Sequence, residues 1–461
     1  MSKKPLRFYF ALVCGKLSVL LLKLLRKNGT NFPGQTALTL CPDFLKHLEK
    51  PEKIIAVTGT NGKTTTSNMI LDILTDNGYN CTNNNFGGNV DTGITAALLK
   101  DSTLSGKAKK EYCILEVDER SAVRVFPYVH PTYLICTNLT RDSYKRNAHS
   151  EYIFSILDKS IPDSTHLILN CDDMISSRLK KDNKHTFFGM ENLEGELLID
   201  NNIIKDIRAC PICSSPLRYS FLRYNHIGRA KCSNCDFKSF EPDFDMISRT
   251  FTNDGHADIT VKTPDGNENY TVPCENTIAL YNALTAITVL RTFGLSHEQI
   301  QNSFQKISIV KSRFDVIEAK NKKVISMMSK GQNPVACSHS CNIIRNDPSD
   351  KQVILITDDF YDAAETSETI AWLYDTDYEF LNNDKVKKII VGGKRHLDYI
   401  LRLELAGISK DKIVCCEHEE DTAELVDISL SEKTYILFDM YNYNYSVKIK
   451  ERLKERIENE N

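Results

Sequence analysis

K-I-I-A-V-T-G-T-N-G-K-T-T-T, residues 53 to 66, is an apolar run that passes into a turn rich in glycine and threonine, and a helix-forming segment from about 65 to 74 follows it. Strand, loop, helix is the order that a phosphate loop requires. Gly59 and Gly62 allow backbone N–H groups to close around phosphate oxygens, and the helix presents its positive end to the same anion. Thr60, Asn61 and Thr65 belong to the same loop; Lys63 is placed to reach the β and γ phosphates of a nucleotide, and Thr64 to bind Mg²⁺. The two glycines are separated only by Thr60 and Asn61, a shorter gap than in the general motif. A surface turn would share this composition, but not the position between strand and helix.

Outward from the loop, apolar runs at 112 to 117, 133 to 137 and 166 to 169 alternate with helix-like segments, the pattern of a mostly parallel sheet covered by helices on both faces. The fold class is α/β. Glu116 ends one such run, where the carboxyl edge of the sheet collects ligands, and is the candidate second ligand for magnesium; a helix cap or surface charge is the alternative. Asn138 and Asp142 follow the next strand and face the same crevice, or serve as turn and capping residues. Strands at 258 to 262 and 269 to 272 lead to a helix at 276 to 293. After Lys311 a second α/β unit has strands at 353 to 357, 388 to 391 and 434 to 438, and its tail, 447 to 461, charged at helical spacing, reads as a solvated terminal helix. The domains are therefore 1–50, a helical lead-in; 51–310, the nucleotide-binding domain; and 311–461, a second α/β domain.

Residues 205–240 interrupt the first α/β pattern. They contain C-P-I-C at 210 to 213 and C-S-N-C at 232 to 235. Cys210, Cys213, Cys232 and Cys235 fit tetrahedral Zn²⁺ with four sulfur ligands, a closed site with no position for water. The reading preferred is a staple for an insertion that cannot build its own core. The alternative is nucleic-acid binding through Arg218, Arg223, Arg229, Lys231 and Lys238, with Tyr219, Phe221 and Tyr224 interleaved.

With 461 residues and a formal net charge of −3, the chain has room for several cores and lacks the basic excess of a general nucleic-acid binder. Fifteen cysteines spread over a long charged chain without a signal peptide point to a reducing cytosol, the eleven outside the two pairs acting as small buried hydrophobes. Residues 6 to 25 are rich in Leu, Val and Phe but interrupted by Lys16 and Lys23, so that no run reaches the ~20 apolar residues a span needs. They read as an amphipathic helix that packs on the body of the protein, with contact at the inner membrane surface as the alternative. T-D-D-F-Y-D at 357 to 362 follows a strand and sets carboxylates at a sheet edge. Cys337, His339 and Cys341 could form a thiol and base set, though spacing alone does not supply the geometry.

Together these motifs resemble the Mur ligase family, and within it the MurT branch. The similarity includes Phe32-Pro33-Gly34, the loop at 58 to 66, L-E-V-D-E at 115 to 119, T-N-L-T-R-D at 137 to 142, L-N-C-D-D at 169 to 173, the two cysteine pairs, Tyr281-Asn282-Ala283-Leu284 and G-G-K-R at 392 to 395. The resemblance implies a Mur ligase-like ATPase domain with an inserted zinc ribbon, followed by a Rossmann-like C-terminal domain, using ATP, Mg²⁺ and Zn²⁺. It implies ATP-dependent amidation of the α-carboxylate of D-glutamate in the lipid II stem peptide, giving D-isoglutamine for peptidoglycan, at the cytoplasmic face of the membrane. Ammonia would come from a GatD-type glutamine amidotransferase partner in a heterodimer. Asn282 and Arg313 would contact ATP. An aspartate of the C-terminal domain would complete the partner's catalytic triad; the family's D-N-x-A-D-G is D-D-F-Y-D-A-A here, which makes Asp358 the first candidate and Asp359 and Asp362 the alternatives. The family's G-R-x-E also appears as Ser312-Arg313-Phe314-Asp315. Two other readings follow from these departures and from the ribbon: a divergent ligase acting on another carboxylate or joining an amino acid, and a nucleotide-gated nucleic-acid-binding module.

Overall fold

The computed structural model describes residues 4–26, 30–85, 88–142, 149–252, 255–274, 276–307, 314–329, 333–357 and 370–459. The chain forms two compact units, one of residues 1–140, 150–200 and 207–309, the other of 141–149, 201–206 and 310–461.

The strands of the first unit are β1 (Lys53–Thr58), β2 (Cys81–Asn83), β3 (Tyr112–Glu116), β4 (Tyr133–Cys136), β5 (His166–Asn170), β6 (His185–Met190), β7 (Leu217–Tyr224), β8 (Ile227–Cys232), β9 (Phe244–Phe251), β10 (His256–Thr263) and β11 (Gly266–Pro273). Nine of them make one sheet in the order β11-β10-β9-β6-β5-β4-β1-β3-β2, and β7 and β8 pair separately as an antiparallel hairpin. The sheet is parallel from β2 to β9 and turns antiparallel only through β10 and β11. β1 is apolar on both faces because both are covered. Ile54 and Ala56 join one buried cluster, which includes Phe8 and Leu12 of the first helix, α1 (Leu6–Leu24). Ile55 and Val57 join the other, with Ile70 of the helix Lys63–Asp76 and Leu284 of the helix Thr277–Phe293. This alternation places helices on both faces of the parallel sheet, as the strand pattern requires. The helix Thr277–Phe293 starts where the Asn276 side chain accepts from the Ala279 N–H, and it stops at Gly294, whose φ is +116°.

The second unit has β12 (Phe314–Ala319), β13 (Lys322–Met328), β14 (Lys351–Ile356), β15 (Val386–Gly392), β16 (Ile413–Cys416) and β17 (Lys433–Phe438) in one sheet, ordered β12-β13-β17-β14-β15-β16. Only the β12–β13 pairing is antiparallel. Val353 and Leu355 face one core and Ile354 and Ile356 the other. The terminal helix Tyr443–Asn459 is not wholly solvated: Ile449, Leu453 and Ile457 are buried against the sheet. No helix among the described residues is long and apolar enough to cross a membrane.

Candidate active site

β1 delivers the chain into the phosphate loop with two residues in the left-handed region, Gly59 at φ +120° and Gly62 at φ +87°. A β-carbon at Gly59 would lie 2.3 Å from the Thr137 hydroxyl, and one at Gly62 would lie 2.3 Å from the Asn282 side-chain oxygen Oδ1. Both positions therefore exclude any larger residue, on backbone conformation and on space. The segment after β4 holds the loop from the side. The N–H of Thr60 donates to the Asn138 carbonyl at 2.8 Å, the N–H of Asn61 to the Asn138 side chain at 3.1 Å, and the Thr137 hydroxyl to the Asn61 carbonyl at 2.7 Å. Asn138 thus positions the loop, whereas Asp142 falls in the second unit and accepts from Asn333.

Beyond the loop the helix Lys63–Asp76 begins. The Thr64 hydroxyl donates to Glu116 Oε2 at 2.7 Å, and Asn89 Nδ2 donates to Glu116 Oε1 at 2.9 Å. Asn84 fixes the Glu116 backbone by a reciprocal pair of hydrogen bonds, each 2.9 Å. The two oxygens facing each other at Thr64 and Glu116 match the edge of a Mg²⁺ octahedron, about 2.9 Å for ligands at about 2.05 Å. Lys63 folds back over the loop, donating to the Gly59 and Thr60 carbonyls, and its ammonium lies 3.4 Å from the buried carboxylate of Glu119. Asn282 lines the loop at Gly62 and is within reach of the Thr66 hydroxyl at 3.4 Å. Glu119 was not a candidate in the sequence although it is the second glutamate of L-E-V-D-E; Asn89 has no such signal, because its role comes from folding beside β3.

The four cysteines of the insertion do converge. Their sulfur atoms lie within 4.8 Å of one another, with Cys210–Cys235 at 3.6 Å and Cys213–Cys232 at 3.4 Å. Four sulfurs about 2.3 Å from a tetrahedral Zn²⁺ would be about 3.8 Å apart, so the set fits that ion. Backbone N–H groups of Ile212, Asn234 and Cys235 point at the sulfurs, the support that thiolates need. Hydrogen bonds from the Ser215 side chain, from its N–H and from Cys232 bring the Cys213 thiol down to about 6.

Of the five basic residues read as possible nucleic-acid surface, Arg223 and Arg229 are engaged inside the protein, whereas Arg218, Lys231 and Lys238 are exposed. Arg229 donates to Asp172 at 2.8 Å and pairs with Asp245 at 2.6 Å, while Arg223 pairs with Glu196 at 2.8 Å and donates to the Tyr281 hydroxyl. Phe221 is buried, and the Tyr219 hydroxyl donates to the Ile207 carbonyl. The hairpin β7–β8 is thereby riveted to the end of β5. Asp173, fully buried, accepts from His226 at 3.0 Å, from Ser176 at 2.7 Å and from the Leu139 N–H at 2.7 Å. Through Asp173, His226 therefore links the ribbon to the segment that holds the phosphate loop.

Asp358, Asp359, Asp362 and Arg313 lie outside the described residues. Cys337 and Cys341 are core residues of the helix Pro334–Asn346, and burial pushes the Cys341 thiol up, so they form no accessible nucleophile. Of the other cysteines outside the ribbon, Cys41, Cys81, Cys113, Cys136, Cys171 and Cys274 are buried as expected, Cys14 and Cys416 are half-buried, and Cys415 is exposed.

Residues 57–235 match the Mur ligase middle domain, and residues 331–444 the MurT ligase C-terminal domain. The lipid II isoglutaminyl synthase (glutamine-hydrolyzing) subunit MurT of Staphylococcus aureus (strain COL) is 31% identical over 426 residues, 92% of this chain and 93% of that one. The subunit of the same description from Streptococcus pneumoniae is 27% identical over 455 residues, 98% of each chain. Among solved structures, the pseudomurein peptide ligase type C of Methanothermus fervidus aligns with TM-score 0.66 and 18% identity over 90% of this chain and 81% of that one. MurF ligase of Thermotoga maritima in complex with ADP aligns with TM-score 0.59 and 16% identity, over 92% and 84%. The fold is that of the Mur ligases, and with nearly the whole length matched at 31% identity the chain belongs to the MurT family of these ATP-dependent ligases.

Proposed function

We propose that the protein is the ATP-using subunit of an amide synthase that converts the α-carboxylate of D-glutamate in the lipid II stem peptide to the amide, at the inner face of the cell membrane. The observation that carries the reading is a complete phosphate loop with its Thr64–Glu116 pair in a chain that matches MurT subunits nearly end to end. A carboxylate oxygen would attack the γ-phosphorus of ATP, releasing ADP and leaving an acyl phosphate. Ammonia would then add at the carbonyl carbon, phosphate would leave with the C–O bonding pair, and a proton would be lost from nitrogen.

The residues of the loop supply the electrostatics. Backbone N–H groups and Lys63 would meet charge as it moves onto the transferred phosphoryl oxygens, with Lys63 exchanging Glu119 for phosphate. Mg²⁺ would be held by Thr64 and Glu116 and would neutralise phosphate oxygens when bound. Zn²⁺ would be held by Cys210, Cys213, Cys232 and Cys235 in a structural role. Ammonia would come from a glutaminase partner of the GatD type, with Asp358, or Asp359 or Asp362, orienting the partner's histidine.

The altered D-D-F-Y-D-A-A segment favours a second reading, a divergent ligase with another carboxylate acceptor or with an amino acid as the nucleophile. Both readings are tested by supplying lipid II, ATP and either glutamine with the partner subunit or free amino acids. Amidated stem peptide that disappears with Lys63→Ala supports the first; product carrying an added amino acid without a glutaminase supports the second.

A further inference from the structure

α1 is apolar on both sides, yet protein covers only one. Phe8, Ala11, Leu12 and Gly15 are buried, and Gly15 is packed so closely on Leu99 that a side chain there would strike it. On the opposite side Leu6, Phe10, Val13, Leu17, Leu21 and Leu24 recur at helical spacing and form one stripe. At 1.5 Å per residue it runs about 27 Å. All six are exposed, from 45% at Val13 to 88% at Leu6. A helix that is apolar all round is ordinarily enclosed all round, and a contiguous apolar stripe of this length marks a surface that something covers.

Charge identifies the occupant. The first 42 residues contain seven Lys or Arg and no Asp or Glu, in a chain whose formal net charge is −3. Lys23 and Arg26 are exposed at one end of the helix, Arg7 pairs with the first carboxylate of the chain, Asp43, and Lys16 donates back to the Lys100 and Ser102 carbonyls. An acidic protein face would match the charge but would not call for an uninterrupted apolar stripe. A bilayer with anionic headgroups matches both, and the helix is not apolar enough to cross one.

We propose that α1 docks the protein on an anionic bilayer, lying in the plane of the interface with its exposed stripe in the acyl boundary and Lys23 and Arg26 among the headgroups. The proposal rests on the reading of a lipid-linked acceptor only for its purpose, which is to keep the ligase where such an acceptor lies.

The test is cosedimentation of the full chain with phosphatidylcholine vesicles and with vesicles enriched in phosphatidylglycerol. Binding should need the anionic lipid and weaken with salt. Phe10→Asp with Leu17→Asp should lower affinity about tenfold or more, and Lys23→Glu about fivefold. Because the paired substitution could disturb the helix, Phe10→Trp provides a second readout: its emission should shift to the blue on anionic vesicles and be quenched by brominated acyl chains. The proposal is overturned if the chain stays in the supernatant with anionic vesicles, or if the aspartate variant binds as well as the parent. A change from dimer to monomer in that variant, with no vesicle binding by either form, would assign the stripe to a second copy and also overturn it. Vesicle binding without any lipid II amidation would support the docking and count against the functional reading alone.

Discussion

Thr64 and Glu116 meet across the gap between the start of a helix and the end of a strand, 2.7 Å apart, the contact on which the proposed Mg²⁺ site rests. Glu116→Gln keeps the shape but removes the charge. It should raise the Mg²⁺ concentration needed for half-maximal activity and lower turnover about a hundredfold; an unchanged Mg²⁺ titration would remove the carboxylate from metal binding. Lys63→Ala should lower amidation by at least about a hundredfold while the fold persists, since this side chain sits over the loop rather than in the core. Asp173 acts differently. It is buried, and despite its burial the His226 charge and hydrogen bonds from His226, Ser176 and Leu139 hold its carboxyl below the ordinary range. Asp173→Ala should cost about 3 kcal/mol or more in denaturant unfolding and weaken ATP binding, because Leu139 follows the asparagine that holds the loop. A stable variant with normal ATP affinity would break that link.

At the scale of elements, the phosphate loop, the positions of the strands around it and the cysteine pairs were legible because each depends on short sequence spacing. β1, β3, β4 and β5 all fall where apolar runs at 53, 112, 133 and 166 placed them. What was not legible depends on distant pairing. β6 and β9 are adjacent parallel neighbours separated in sequence by the whole ribbon, and the β7–β8 hairpin looked basic and aromatic because its Arg223 and Arg229 meet carboxylates from other elements. The same clamp makes a prediction about the ribbon. Purified protein should carry a single equivalent of zinc, and Cys232→Ser should abolish it and lower thermal stability. Full zinc content in that variant would contradict a four-sulfur site.

For the whole molecule, acid sensitivity should be set in both units. Burial first, then the neighbouring Lys184 and His185, lowers His166 to about 4 from its usual 6.5. A histidine depressed in the folded state takes up protons more readily when unfolded, so its contribution is present above pH 6.5 and is lost as pH falls toward about 4. Asp347 in the second unit is also held low: burial opposes this, but Lys433 and Tyr435 hydrogen bonds outweigh it. With Asp173, its contribution is lost further down, below the ordinary carboxylate range. Unfolding midpoints measured from pH 7 down to about 1.5 should therefore fall in two stages, and His166→Gln should flatten the first; a first stage unchanged by that substitution would place its origin elsewhere. The most direct test is the mass of the lipid II stem peptide after incubation with ATP, glutamine, this chain and a glutaminase subunit. A loss of about one mass unit, the exchange of OH for NH₂, that requires both ATP and Lys63 is the predicted result. An unchanged stem peptide in the presence of demonstrated ATP binding would contradict it.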